Sequence, residues 1–268
     1  MLEISEIHKT FHPGSPNEVR ALQGVSLHLK RETFAIIIGT NGSGKTTLLN
    51  AVAGSFIPDS GSIQLGGHDI THWPEHRRAA LIGRVFQNPF SGTAPDMSIE
   101  ENLVLAARRG LPRGLSWALT RSFRSQLRDR ISTLQMGLEN RLDNAIGSLS
   151  GGQRQALTLL MASWLKPDLL LLDEHTAALD PKSTDKVIAL TREIVTRDKL
   201  TTLMVTHSMA QAVHLGERIV MMHKGRMLHD ITGDERQSIT PEGLLERFEA
   251  AARRDSLDTS SHTAIEEN

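Results

Sequence analysis

A glycine-rich loop between two apolar segments constrains the fold of this chain more than any other feature. Residues Phe34–Ile38 form a continuous apolar, mostly β-branched run, which is typical of a strand buried on both faces of a largely parallel sheet. The loop Gly39–Thr46 follows and fits the pattern G-x-x-x-x-G-K-[ST], and Thr46–Ala53 then predicts a helix that ends near Gly54. A strand, a glycine loop and a helix in this order predict an α/β core that binds phosphates.

The residue types in this loop suit the phosphates of a nucleoside triphosphate. Glycines allow backbone N–H groups to surround the phosphates, and the N-terminus of the following helix adds a partial positive charge. We expect Lys45 to reach the β- and γ-phosphates and Thr46 to offer its hydroxyl to Mg²⁺. A glycine turn that fits the pattern by chance is the alternative, and the flanking strand and helix disfavour it. The residues expected at the nucleotide are Gly39, Asn41, Gly42, Ser43, Gly44, Lys45, Thr46 and Thr47.

An acidic pair follows a second apolar strand. Residues Asp168–Leu172 predict a buried strand, and Asp173 and Glu174 come at its C-terminal end, where open α/β sheets bind their ligands. We expect Asp173 to hold Mg²⁺, directly or through water. We expect Glu174 to polarise the water that attacks the γ-phosphate. The alternative is that the pair only caps the next helix.

The periodicity of the chain changes along its length. Two apolar segments, Leu2–Ile7 and Val25–Leu29, predict short strands near the N-terminus. From about Met97 to Lys166 the periodicity is helical, and Ser98 is a candidate N-cap. The sequence thus predicts an α/β core with an N-terminal antiparallel β subdomain (residues 1–96 and 167–250), an inserted helical lobe (97–166) and a polar, disordered tail (251–268).

After the acidic pair, the chain returns to alternating strands and helices. We predict helices at Ser183–Thr196 and Met209–Leu215 and a strand at Thr201–Val205. The segments Arg218–Met222 and Arg226–His229 predict a hairpin across a Lys-Gly turn.

Composition excludes several classes of protein. With a net charge of −1, the 268 residues lack the basic excess of most nucleic-acid binders, so we expect no nucleic-acid partner. The chain has no cysteine, which excludes disulfides and cysteine zinc sites and fits a reducing compartment. No segment reaches the roughly 20 apolar residues that a membrane helix needs, and the N-terminus lacks a signal-peptide pattern. We expect a chain that does not itself span a membrane.

A third motif points to a family. Residues Leu149–Gln153 read Leu-Ser-Gly-Gly-Gln and precede a helix-prone stretch. Gln87 stands in Val-Phe-Gln-Asn-Pro, Asp180 in Ala-Leu-Asp and His207 in Val-Thr-His. With all of these motifs in order, the chain resembles the ATPase subunits of ABC transporters over nearly its whole length.

The resemblance implies a P-loop NTPase core of the RecA-like type and a head-to-tail dimer. ATP would lie between the phosphate loop of one chain and a helix N-terminus of the other. In that second segment the implied nucleotide contacts are Ser150, Gly151, Gly152 and Gln153. His207 would contact the γ-phosphate and orient water, Gln87 would touch Mg²⁺ and water, and Asp180 would act across the dimer. The implied catalytic residues are Glu174, His207 and Gln87, and the implied metal ligands are Thr46, Gln87 and Asp173.

Two positions carry open alternatives. Phe11 stands where the family places an aromatic ring that stacks on adenine, although a loop phenylalanine can equally be a minor core residue. His175 follows Glu174, where most relatives have proline. We favour a tolerated substitution with its ring in solvent, and the alternative is a titratable ring that acts on Glu174. This variant is similar to a subset of bacterial importer ATPases, some of them linked to amino-acid uptake.

A basic segment lies in the predicted helical lobe, which in this family faces the membrane subunit. A solvated polar face is the favoured interpretation, and contact with anionic lipid or an acidic partner is the alternative. The arginines of this segment are Arg108, Arg109, Arg113, Arg121, Arg124, Arg128 and Arg130.

The resemblance implies an ATP-hydrolysing subunit that uses ATP and Mg²⁺ to energise transport of a small solute through a separate permease. Gly147-Ser148, without an exporter-like acidic motif, favours import. The implied partners are transmembrane permease subunits, a second ATPase subunit (a homodimer) and an extracytoplasmic solute-binding protein, at the cytoplasmic face of the inner membrane. The alternatives are a split exporter ATPase, or a soluble ABC ATPase that acts on nucleic acid or ribosomes. A P-loop kinase is disfavoured, because Glu174 would recruit the water that a kinase must exclude.

Overall fold

The N-terminal strands form an antiparallel sheet of their own. The computed structural model describes residues 1–110 and 120–250. Strand β1 (Leu2–Phe11) pairs with β2 (Val19–Leu29) and with β4 (Ser60–Leu65), which pairs with β5 (His68–Asp69). This confirms the predicted antiparallel sheet. The first two strands are longer than predicted because their backbone pairing continues past the apolar residues to Phe11 and Val19. Phe11 is therefore the last residue of a strand and not a loop residue.

A second, mostly parallel sheet surrounds the strand that precedes the glycine loop. Its strands are β3 (Phe34–Gly39), β6 (Ile82–Val85), β7 (Leu169–Asp173), β8 (Thr202–Val205), β9 (Arg218–His223) and β10 (Arg226–Ile231). They lie in the order β10-β9-β3-β8-β7-β6, and β10 alone among these strands runs antiparallel to its neighbour. Every predicted strand of this sheet is present. The sequence did not reveal β6, because it has four residues and carries a glycine and an arginine.

Helices connect and flank the strands. Ser98 caps one of them, with the backbone N–H of Glu101 donating to its hydroxyl and the Glu101 carboxylate accepting from its N–H, as its N-cap position predicts. In residues 86–110 and 120–168, three α-helices lie between β6 and β7, where helical periodicity was predicted. The helices are α1 (Lys45–Ala53), α2 (Glu75–Arg78), α3 (Ile99–Ala107), α4 (Arg121–Ser132), α5 (Gly151–Ser163), α6 (Pro181–Asp198), α7 (Met209–Leu215), α8 (Gly233–Ser238) and residues 241–250.

Two apolar cores lie on opposite faces of the parallel sheet. In β3, Ile36 and Ile38 pack into one core, and Ala35 and Ile37 pack into the other. The first core contains side chains from α3 to α7, and the second contains those of α1 and the N-terminal sheet. Because both faces of β3 are buried, every residue of the strand interior must be apolar, which is the pattern that predicted it.

Several arginines of the basic segment contact other residues of the protein. Arg109 donates to the carbonyl of Ala162 at 3.1 Å, and the Arg130 guanidinium stacks 4.3 Å over the ring of Trp164. Arg124 pairs with both Glu100 and Asp143. Arg109 and Arg124 therefore have partners within the protein, whereas Arg121, Arg128 and Arg130 are exposed, as expected of a solvated face. Arg113 lies outside the described residues, as does the predicted tail.

His175 also differs from the prediction, because its ring is buried and not in solvent. The side chain is only 1% exposed, and Nε2 lies 3.0 Å from Oγ1 of Thr191 on α6. The Thr191 hydroxyl donates its proton to the carbonyl of Val187 at 2.7 Å. Nε2 of His175 must therefore carry a proton and donate it to Thr191. This bond ties the loop after Glu174 to the middle of α6.

Burial of His175 predicts a measurable loss of stability in mild acid. Burial lowers the pKa of His175 from 6.5 to about 4. Between these values the unfolded chain binds a proton that the folded chain excludes, so this contribution to stability is complete above pH 6.5 and falls as the pH decreases towards 4. Near pH 5.5 the loss should reach about 1.4 kcal/mol.

The variant His175→Gln isolates this contribution, since glutamine does not titrate and can still donate to Thr191. Urea unfolding of the nucleotide-free chain in EDTA, near pH 7.5 and near pH 5.5, gives the free energy of unfolding of both proteins. Wild type should lose about 1.4 kcal/mol more than the variant. Equal losses in the two proteins would show that the ring does not stay neutral in the fold.

Candidate active site

The carboxyl ends of four neighbouring strands bring the predicted site residues to one edge of the parallel sheet. Strand register places Ile37, Val205 and Asp173 level with one another. The glycine loop continues from β3, and His207 and Glu174 follow β8 and β7. Their backbones stay attached to the sheet beyond the strand ends, since the N–H of Glu174 donates to the carbonyl of Val205 at 3.0 Å. This edge is where ligands bind in open α/β sheets.

The glycine loop is shaped to receive an anion. A side chain at Gly44 would be excluded, because φ is 96° and a Cβ would lie 2.5 Å from the carbonyl oxygen of Ala21. The N-terminus of α1 has no side-chain cap and no acidic residue in its first turn. The Oγ of Ser43 is buried and has no hydrogen-bond partner among the described residues. Free N–H groups, an unpartnered hydroxyl and a helix dipole together fit phosphate oxygens.

Lys45 lies folded over this loop. Its Nζ donates to the carbonyl oxygens of Gly39 at 3.0 Å and Thr40 at 2.8 Å, and the residue is 4% exposed. Burial lowers the pKa of Lys45, while the carboxylates of Glu174 and Asp173 act in the opposite direction. A phosphate in the loop would offer this cation a full counter-charge in place of two carbonyl dipoles.

Thr46 and Asp173 form a pair of oxygen donors that fits Mg²⁺. The Thr46 hydroxyl donates to Oδ1 of Asp173 at 3.1 Å. Burial raises the pKa of Asp173, and this is opposed by the Thr46 hydrogen bond and by the charges of Arg84 and Lys45. Hydroxyl and carboxylate oxygens are the ligands that Mg²⁺ prefers, together with water and phosphate. Gln87 is exposed in the loop after β6, and among the residues described no hydrogen bond joins it to this pair.

Glu174 and His207 are brought together directly. Oε1 of Glu174 lies 2.5 Å from Nε2 of His207. Glu174 has a φ of 42°, a conformation that costs a non-glycine residue free energy. The two loops are linked through Gln211, which accepts from the Thr206 hydroxyl at 2.7 Å and donates to that of Thr176 at 3.2 Å. A carboxylate held by an imidazole in this way can accept a proton from water.

The motif Leu149–Gln153 lies at the start of α5. Ser150 caps this helix, its hydroxyl accepting from the N–H of Gln153. Gly152 packs so closely against α6 that a Cβ would lie 2.8 Å from Cβ of Ser183. Asp180 caps α6 by accepting from the N–H of Ser183 at 3.0 Å. Ser150, Gly151 and Asp180 are exposed, and within residues 1–110 and 120–250 no hydrogen bond joins them to the glycine loop.

Phe11 combines features of both alternatives. Its half-buried ring packs edge-on against Phe56, with 5.5 Å between centroids and 83° between the planes. Nζ of Lys9 lies 5.7 Å from the Phe11 centroid and is itself paired with Asp59. One edge of the ring is thus fixed by packing, and the side chain still contributes to the surface.

Arg84 also lies at the site, although the sequence did not predict this position. Its guanidinium lies 3.9 Å from Oδ2 of Asp173 and close to Asn50 of α1. The available signal was a charged residue inside the short apolar segment directly before Gln87.

Comparison with known proteins identifies the family. The model of the family described as "ABC transporter" matches residues 22–177. The tyrosine transport ATP-binding protein of Clostridioides difficile (strain R20291) is 42% identical over 94% of this chain and 100% of its own length. A lipoprotein-releasing system ATP-binding protein, LolD 1 of Caulobacter vibrioides, is 33% identical over 86% of this chain and 96% of its own length.

Solved structures give the same result. The dimeric post-hydrolysis structure of the ATP-binding cassette MJ0796, bound to ADP and Pi, is similar with a TM-score of 0.75 and 26% identity, covering 87% of this chain and 98% of that one. None of the helices described for this chain has the length and apolar character needed to cross a membrane. The motifs, the fold and these relatives agree: the chain belongs to the ABC transporter family and is an ATP-binding subunit with an ABC ATPase domain.

Proposed function

We propose that this chain hydrolyses Mg·ATP to drive import of a small solute through a separate membrane permease. The observation that carries the hydrolytic part is the Glu174–His207 contact of 2.5 Å at the sheet edge that also holds the glycine loop and the Thr46–Asp173 pair. A general base at this edge would lie beside the terminal phosphate of a nucleotide bound in the loop.

In this proposal the residues at this edge of the sheet bind phosphate, hold Mg²⁺ or act on the attacking water. The backbone N–H groups of residues 39–44 and the Ser43 hydroxyl bind the phosphates, and Lys45 exchanges the carbonyl oxygens of Gly39 and Thr40 for phosphate oxygens. Thr46, Asp173 and Gln87 hold Mg²⁺, which neutralises phosphate charge when it is bound. Glu174 takes a proton from the attacking water, while His207 holds its carboxylate and contacts the γ-phosphate.

The other half of the site comes from a second copy. Ser150 and Asp180 are exposed and separate from the glycine loop, so within one chain they leave a helix N-terminus and its cap free to meet another molecule. In a head-to-tail dimer, Ser150, Gly151, Gly152 and Gln153 of the partner subunit would face the γ-phosphate. This arrangement is supported by the dimeric ADP-bound relative at 26% identity.

Import of an amino acid is the transport reaction best supported by the relatives. The tyrosine transport protein matches over its full length, and a methionine import ATP-binding protein of Shouchella clausii is 29% identical over 95% of this chain. We assign to the complex transmembrane permease subunits and an extracytoplasmic solute-binding protein, with this chain at the cytoplasmic face of the inner membrane. Residues 97–166 would form the lobe that meets the permease.

A second candidate function is release of lipid-anchored cargo from a membrane. It is favoured by the lipoprotein-releasing relative, which is 33% identical and matches over 96% of its length.

Replacing the base should separate ATP binding from turnover. Glu174→Gln keeps the shape of the side chain and removes the carboxylate, so ATPase activity should fall by roughly 100-fold or more while ATP still binds. Phosphate release and the binding of a fluorescent ATP analogue measure the two properties. The matched control, Glu193→Gln on the exposed side of α6, should keep wild-type turnover. Near-normal turnover in Glu174→Gln would remove this residue from the mechanism.

The shared site can be tested in the same background. With ATP trapped, Glu174→Gln should elute as a dimer in light-scattering chromatography. Adding Ser150→Arg should leave a monomer that still binds ATP, because a bulky cation blocks only the partner's side of the site. Ser132→Arg, an exposed position on α4, is the control and should leave the dimer intact. A dimer that tolerates Ser150→Arg would contradict the head-to-tail arrangement.

The direction of transport is measured on the complex of this chain with its membrane partner. The complex that co-purifies with this chain is reconstituted into vesicles with the ATPase outside, and labelled tyrosine or methionine is placed in the lumen with its binding protein. ATP-dependent movement of label to the ATPase side would establish import. Release of a lipoprotein from the vesicles, with no movement of amino acid, would support the second candidate.

A further inference from the structure

A buried arginine fills the space between β6, α1 and β7. The side chain of Arg84 is 13% exposed, and its guanidinium stacks 4.4 Å over the ring of Phe86. Nη2 donates to Oδ1 of Asn50 at 2.5 Å, and Nη1 donates to the hydroxyl of Ser55 at 3.2 Å. This side chain therefore joins the strand that leads to Gln87 with the end of the helix that follows the glycine loop.

The charge of Arg84 is balanced by the candidate metal ligand. Asn50 and Ser55 are neutral, and the acidic partner of the guanidinium in the described residues is Asp173, whose Oδ2 lies 3.9 Å from Nη2. Burial lowers the pKa of Arg84, and the carboxylates of Asp173 and Glu75 oppose this shift. A buried cation without a counter-charge would be strongly destabilising. The Asp173 carboxylate thus supplies part of the counter-charge that lets Arg84 be buried.

The two oxygens of Asp173 have different partners. Oδ1 accepts the hydrogen bond of Thr46 at 3.1 Å, and Oδ2 faces Arg84. Strand pairing sets Arg84 opposite Leu171, and Leu171 lies two residues before Asp173 on β7. The side chains of Arg84 and Asp173 therefore project from the same face of the sheet. The carboxylate thus lies between the guanidinium and the Thr46 hydroxyl, with Oδ2 towards Arg84 and Oδ1 towards Thr46.

We propose that Arg84 is a positioning residue for the magnesium ion of the nucleotide. It acts through Asp173, which it keeps oriented with Oδ1 beside the Thr46 hydroxyl before Mg²⁺ arrives. The inference rests on the proposed role of Asp173 as a metal ligand. Partners that orient a ligating carboxylate are worth about 10- to 100-fold in metal affinity. Arg84 lies in β6 and Gln87 in the loop that follows it, so one segment would carry both the residue that orients one ligand and a second ligand.

The test measures Mg²⁺ without relying on turnover. Binding of a fluorescent ADP analogue is titrated in EDTA and then against Mg²⁺, which gives the nucleotide affinity and the half-saturating Mg²⁺ concentration separately. Arg84→Met keeps the length of the side chain and removes the guanidinium. It should raise the half-saturating Mg²⁺ concentration by about 10-fold or more. Its affinity in EDTA should stay within about 2-fold of wild type, because the glycine loop is intact.

Arg84→Lys keeps the charge but not the planar fork, so its Mg²⁺ requirement should lie between those of wild type and Arg84→Met. This variant also serves if Arg84→Met fails to fold, as judged by urea unfolding. A wild-type Mg²⁺ requirement in the folded variants would overturn the inference. So would a loss of nucleotide affinity in EDTA equal to the loss in Mg²⁺, since that is the signature of a merely structural residue.

Asp173→Asn separates this inference from the proposed site. If Asp173 binds the metal, Asp173→Asn should raise the Mg²⁺ requirement at least as far as Arg84→Met does. A wild-type requirement in Asp173→Asn would refute the metal site itself and the role of Arg84 with it. A raised requirement in Asp173→Asn with no change in Arg84→Met and Arg84→Lys would overturn the role of Arg84 alone.

Discussion

Parallel pairing of β3, β8, β7 and β6 is the interaction on which the site depends. The register sets Ile37, Val205 and Asp173 side by side, so the loops that leave these strands begin at the same edge. Residues more than 120 positions apart, such as Thr46 and Asp173, thereby come within hydrogen-bond distance. The sheet keeps this register because each strand buries apolar side chains on both faces, and a slip of one residue would exchange the two sets.

In the proposed function, the chain holds two incomplete halves of a nucleotide site. One half, at the sheet edge, combines the glycine loop, the Thr46–Asp173 pair and Glu174 with His207. The other half is the capped N-terminus of α5, which close packing of Gly152 on Ser183 couples to the cap of α6 at Asp180. In the proposed dimer each half meets its complement on the partner, so movement of α5 and α6 relative to the sheet would open or close both sites.

Buried polar groups are where sequence reasoning was least successful. A histidine after an acidic pair gave no sign of burial, yet His175 fits because Thr191, 16 residues later, accepts its hydrogen bond. Arg84 interrupted an apolar segment and hid β6, although Asn50 and Asp173 satisfy it from α1 and β7. In both cases the partner that makes burial possible lies on another element, and local patterns carry no information about it.

The elements that carry the chemistry are readable from the amino-acid sequence alone: the strand at Phe34–Ile38, the glycine loop, the strand before Asp173 and the cap at Ser98. These are local, since apolar periodicity and capping act within a few residues. The contact of Glu174 with His207, the fold of Lys45 over its own loop and the approach of Arg84 to Asp173 arise only in the tertiary structure. Such contacts depend on strand order and burial, which are set when the two cores form around the sheet.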